Sequence, residues 1–146
     1  MKITESKVTK RLLTDLERLD PVTFITEDLG NQRGKLTVDC FGEAWTAYWG
    51  AMGCDSVAEF IDSCDRYYLA GKLSNIDSTI TDYEQVGKKI GVGINRESLP
   101  FLVDELFIAY GDEWWEELPT TDNPDYVYLC RIVDAVKAAV KIELSQ

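Results

Sequence analysis

Apolar and polar positions alternate through the first half of the chain and then shift to a three-to-four-residue period, so strands are expected first and helices second. Val22-Thr23-Phe24-Ile25-Thr26 is β-branched and aromatic, as suits a strand. Gly30-Asn31-Gln32-Arg33-Gly34 supplies the flexible, polar residues of a hairpin loop. Lys35 to Phe41 then alternates as a strand with one buried face does, and Gly42 marks a bulge or turn before the aromatic segment Trp45 to Trp49. Ile3 to Leu13 fits a strand or a short helix, because Val8, Leu12 and Leu13 suit both periods.

Past Gly53 the period lengthens. Ser56-Val57-Ala58-Glu59 has the form of a capping box, and Val57, Phe60, Ile61, Cys64 and Tyr68 follow at helical spacing up to a stop at Gly71. Thr81-Asp82-Tyr83-Glu84 repeats the capping pattern ahead of a short helix ending near Gly91. Leu99 to Tyr110 reads as one helix closed by Gly111. Asn123-Pro124 is a helix start, with a cap residue and a proline at the first helical position. The helix from Tyr126 to Leu144 places Val127, Cys130, Val133, Val136, Val140 and Leu144 on or near one stripe. The expected fold is α+β: a small antiparallel sheet of three or four strands in the N-terminal half, packed on one face by three or four helices from the C-terminal half. No repeat, low-complexity segment or linker divides the 146 residues, so one domain spanning 1–146 is expected.

Composition narrows the classes of function. A hydrophobic content of 45% with 11% aromatics suits a folded chain. No apolar run is long enough to cross a bilayer and MKITESKVTK lacks the apolar centre of a signal peptide, so the cytosol is the expected location. The net charge is −11, which disfavours direct binding of nucleic acid or of an anionic membrane surface. There is no histidine, which removes Ser-His-Asp and Cys-His arrangements and HExxH, and no pair of cysteines forms CxxC. Cys40, Cys54, Cys64 and Cys130 sit among apolar or aromatic neighbours and read as buried thiols, with a metal or redox site as the alternative. Gly87, Gly91 and Gly93 match neither phosphate-loop pattern and read as a helix stop and loop. No cofactor and no metal site is expected, and the chain is not expected to be an enzyme. A carboxylate-bound magnesium enzyme stays open on residue types alone.

Two features stand out. Trp45-Thr46-Ala47-Tyr48-Trp49-Gly50 would place Trp45, Ala47 and Trp49 on one strand face and Tyr48 on the other. It is either a core strand ending in a glycine turn or an aromatic pocket formed by Trp45, Tyr48 and Trp49. The second feature is charge segregation. Between Arg96 and Arg131 there is no lysine or arginine, while Glu97, Asp104, Glu105, Asp112, Glu113, Glu116, Glu117, Asp122 and Asp125 fall there, interleaved with aromatics including Trp114 and Trp115. Such a stretch is either a solvated face that aids solubility or a surface that steers a basic partner onto itself. In the second case Asp104, Glu105, Asp112, Glu113, Trp114, Trp115, Glu116, Glu117, Asp122 and Asp125 form the partner-binding set.

The order of Lys2-Ile3-Thr4-Glu5-Ser6, Val8-Thr9-Lys10, Leu19-Asp20-Pro21-Val22, Gly34-Lys35 and Tyr48-Trp49-Gly50-Ala51-Met52-Gly53 resembles a family of small accessory proteins of lambdoid phages and enterobacterial prophages. Ser63-Cys64-Asp65 and Tyr68 continue the similarity, the segment Tyr128 to Lys137 follows it loosely, and the acidic middle lies outside it. The resemblance implies context rather than chemistry: a phage product acting in the bacterial cytosol. With the charge pattern, it leads to the expectation of a nucleic-acid-mimicking, anti-CRISPR-like protein. Its partner would be a host protein with a basic nucleic-acid-binding surface, acting in defence or replication. The alternative is a small-molecule-binding module using the aromatic pocket. Homo-oligomerisation through an apolar helix face is compatible with either.

Overall fold

The alternation in the N-terminal half becomes a four-stranded antiparallel meander in chain order: β1 (Lys10–Leu13), β2 (Val22–Gly30), β3 (Arg33–Cys40) and β4 (Glu43–Trp49). These assignments come from a computed structural model that describes residues 1–146. One face buries Val22 and Phe24 of β2, Leu36, Val38 and Cys40 of β3, and Ala47 and Trp49 of β4. The opposite face shows Asp39, Thr46 and Tyr48 to solvent. Two of the three connections are two-residue hairpin loops, Asn31-Gln32 and Phe41-Gly42, and all four residues have positive φ, the geometry that matches strand twist. Two expectations shift accordingly. The loop narrows from Gly30–Gly34 to its centre, so Gly34 lies inside β3, where a Cβ would stand 2.2 Å from Val57 Cγ2. Phe41 leaves the strand and forms the next turn with Gly42.

The helix expected from Val57 to Gly71 is broken. Helix α1 (Val57–Ser63) ends at Cys64 in extended backbone, and α2 (Arg66–Leu73) restarts one residue later on an Asp65 cap that accepts from Tyr68 N–H at 2.9 Å. Lys137 Nζ donates to the carbonyls of Ile61 and Asp62 at 3.0 and 3.2 Å and to that of Cys64, answering the orphan acceptors where α1 stops. Gly71 is therefore interior to α2 and terminates nothing. The long C-terminal helix α6 (Pro124–Leu144) buries Leu129, Cys130, Ile132, Val133, Val136 and Val140, a wider stripe than the sequence period marks, while Leu144 is exposed. Its end is tied to β1 by a bidentate pair, Arg11 Nε and Nη2 on the Glu143 carboxylate at 2.7 and 2.9 Å. Sheet, α1, α2 and α6 share one core cluster.

The chain forms two compact units: residues 1–76 with 125–146, and residues 77–124. The second, inserted unit is closed at its base by a ribbon absent from the sequence reading. Strands β5 (Thr79–Thr81) and β6 (Thr120–Asp122) pair antiparallel, and Asn123 N–H donates to Ser78 O at 2.9 Å. Inside it are α3 (Tyr83–Ile90), a 3-10 turn over Arg96–Phe101, α4 (Val103–Tyr110) and the single-turn α5 (Trp114–Glu117). Asp82 rather than Thr81 caps α3, and Gly91 ends it in the left-handed conformation. The expected helix from Leu99 to Tyr110 is divided, because Pro100 falls in the 3-10 turn and α4 begins anew at Val103. The two-layer α+β architecture is as expected, with a second, two-stranded sheet added to it.

Candidate functional site

The inserted unit concentrates the charge. Residues 77–124 contain eleven acids and three bases, a net charge of −8, against −3 for the larger unit. Every acid from Glu97 to Asp122 is exposed. The chain's ion pairs are Arg11–Glu143, Lys35–Glu27, Arg66–Asp134 and Lys88–Glu84, and none of those acids takes part. Asp104 and Glu105 occupy the first turn of α4, which has no side-chain cap, so they favour the helix locally through its dipole. Asp112 and Glu113 lead into α5, Glu116 and Glu117 lie on it, and α4 packs on α5. Asp122 ends β6.

Exposed apolar groups accompany the charge. On α4 only Leu106 is buried, while Val103 and Phe107, one turn apart, and Ile108 are all exposed. Phe101 is 85% exposed just before them. Trp115 is 58% exposed and meets the half-buried Trp114 edge to face at 5.7 Å between ring centroids. Thus Asp104, Glu105, Asp112, Glu113, Trp114, Trp115, Glu116, Glu117 and Asp122 all belong to one small unit. Asp125 does not: it falls in the larger unit, on the first turn of α6.

The aromatic pocket of Trp45, Tyr48 and Trp49 does not form, because strand pleating separates its members. Trp49 is 6% exposed in the core, donates its indole N–H to the Tyr68 hydroxyl oxygen at 3.1 Å and meets Phe60 at 5.1 Å. Tyr48 points to the opposite, solvated face and is 57% exposed. Trp45 shares the buried face with Trp49, but at the other end of β4 it lines a cleft of about 420 Å³. The other walls of that cleft are Asp20, Cys40, Phe41, Glu43, Ile76, Asp125 and Tyr128, all within the larger unit. Tyr128 O–H donates to Asp20 Oδ2, and Asp20 N–H donates back to the phenol oxygen at 3.4 Å. The carboxylate it faces, and burial after that, push the Tyr128 phenol up to about 12. The four cysteines are free thiols, and burial raises Cys40, Cys64 and Cys130, which favours the protonated form. No three acids or cysteines group closely enough to hold a metal ion.

A phage context for this arrangement comes from comparison. The family model Phage_phiTE_072, described as a phage family, matches residues 1–142. The chain belongs to this phage family. The match runs through the inserted acidic unit, which the N-terminal resemblance leaves out, and through most of α6. No curated protein and no solved structure matches the chain. No helix is long and apolar enough to cross a membrane.

Sequence reasoning missed the cleft because its walls come from positions 20, 40–45, 76 and 125–128, gathered by the sheet and α6. One local signal was available. Phe41-Gly42 between two alternating runs has the length of a tight hairpin turn, which exposes the aromatic ring rather than burying it in a strand.

Proposed function

We propose that this member of the phage family is a non-enzymatic accessory product, of the lambdoid and enterobacterial-prophage kind, that binds a host protein. Its partner carries a basic nucleic-acid-binding groove and belongs to defence or replication, and the contact is made by the acidic, aromatic-bearing surface of residues 97–122. One observation carries the reading: a 48-residue unit holds −8 of the −11 net charge and leaves Phe101, Phe107, Ile108 and Trp115 exposed beside its carboxylates. A solvated face needs charge alone. Large exposed apolar rings among one-signed charges are what an anchored, electrostatically steered contact uses. Carboxylates there stand in for phosphates, and the rings supply contact area that survives salt better than charge does.

The test is capture from bacterial lysate at low and high salt, followed by competition with duplex DNA. The expected outcome is a basic nucleic-acid-binding protein retained at low salt and displaced by both added salt and DNA. Recovery of the same protein in the presence of saturating DNA would overturn the mimicry. Recovery unaffected by salt would overturn the electrostatic account altogether.

A further inference from the structure

We propose that the cleft at the β3–β4 turn binds an organic cation, a guanidinium or alkylammonium group, using the rings of Phe41 and Trp45 and the carboxylates of Asp20, Glu43 and Asp125. This site lies in the larger unit and rests on none of the acidic-surface argument. Three carboxylates and no base line the cleft, so an anion is repelled and a cation attracted. Its volume, about 420 Å³, falls in the range of small-ligand sites. No three acids group closely enough to cage a metal ion, whereas an organic cation needs no such cage. Two aromatic rings in the wall favour the same chemistry, because a ring face attracts guanidinium and ammonium ions.

Phe41 is the telling residue. It sits at φ 50°, a conformation costly for a bulky side chain, and the residue is 84% exposed at the lip of the cleft. The hairpin would be satisfied better by asparagine or glycine at this position, so packing and turn geometry give no reason for a phenyl ring there. A ligand that covers it does. Asp20 is held in place from behind by the Tyr128 hydroxyl, which orients its carboxylate as part of the wall.

The cation has two sources with the same chemistry, a free amine or the basic side chain of a protein partner. Indole N–H signals of the intact protein in a ¹H–¹⁵N NMR titration distinguish them, with Trp45 reporting the cleft and Trp114 and Trp115 reporting the acidic unit. The probes are agmatine, N-acetyl-arginine N-methylamide, 1-pentanol as the uncharged control and magnesium chloride at matched ionic strength. Agmatine or the blocked arginine should shift Trp45 saturably while pentanol and magnesium leave it in place. Phe41→Ala and Glu43→Gln, both at exposed positions, should each weaken binding about three- to tenfold. Agmatine binding at least about tenfold tighter than blocked arginine assigns the site to a free amine, and comparable or reversed affinities assign it to a partner's side chain. A Trp45 signal unmoved by either cation up to about 10 mM, moved equally by magnesium, or moved undiminished in both variants would overturn the proposal.

Discussion

The two units of this protein are built on opposite economies of apolar surface. The larger unit gathers nineteen buried side chains into one cluster between a sheet and three helices. The inserted unit fully buries the side chains of only Val86 and Leu106, yet exposes seven large apolar residues in 48 positions. A segment so short cannot enclose a large core, and its local stability is expected to be correspondingly low. It also carries most of the negative charge, which adds self-repulsion. One region is organised to hold a shape; the other retains groups that are unfavourable in the isolated molecule and that the proposed contact with a basic partner would offset.

Core truncation separates the two most sharply. Leu129→Ala, at a site 1% exposed, should cost about 4 kcal/mol of global stability in urea unfolding, because the surrounding sheet and helices cannot collapse onto the gap. Leu106→Ala should cost about 3 kcal/mol, but within the inserted unit. Hydrogen exchange should then show amide protection lost across residues 77–124 and retained in β2 and β3. Loss of protection throughout the chain would show that the units unfold as one.

Smaller effects sharpen the picture of the larger unit. Tyr128→Phe removes a hydroxyl that donates to a carboxylate and should cost about 2 kcal/mol at neutral pH. The sign with pH follows from the raised phenol: its stabilisation is full below the ordinary value of 10 and is lost as the pH climbs through about 12. The wild type should therefore lose stability over that interval more steeply than the variant, as read by denaturant midpoints. Asp65→Ala deletes the cap that restarts the helical layer after Cys64 and should cost about 1 kcal/mol. The inserted unit's exchange pattern should not respond to it.

Much of this was readable from residue order, and the gaps have physical causes. Val22 and Phe24, then Leu36, Val38 and Cys40, alternate with polar residues, so the pleat alone assigns their buried face. The same rule places Trp49 inward and Tyr48 outward, and thereby dissolves the pocket drawn from their nearness in sequence. The break between α1 and α2 was concealed because Phe60, Ile61, Cys64 and Tyr68 keep helical spacing across it. Asp65, a cap residue followed by Tyr68 N–H three positions on, was the legible clue. Strands β5 and β6 are three residues each and gain their order by pairing at the neck of the insert, which no local period reveals. The acidic residues were found as a run, but only the fold assigns Asp125 to a different unit from the rest. The cleft needed contacts such as Tyr128 to Asp20, 108 positions apart.

The central claim is that residues 97–122 bind through charge, and one comparison tests it directly. Wild type and the variant Asp112→Asn, Glu113→Gln, Glu116→Gln, Glu117→Gln are titrated against the captured partner across a salt series, with circular dichroism and melting as the check on folding. All four positions are exposed and outside the ion pairs, so the variant should fold as the wild type does. Affinity should fall at least about tenfold at low salt, and the dependence of log affinity on log salt should flatten. A folded variant with undiminished affinity and an unchanged salt slope would contradict the account.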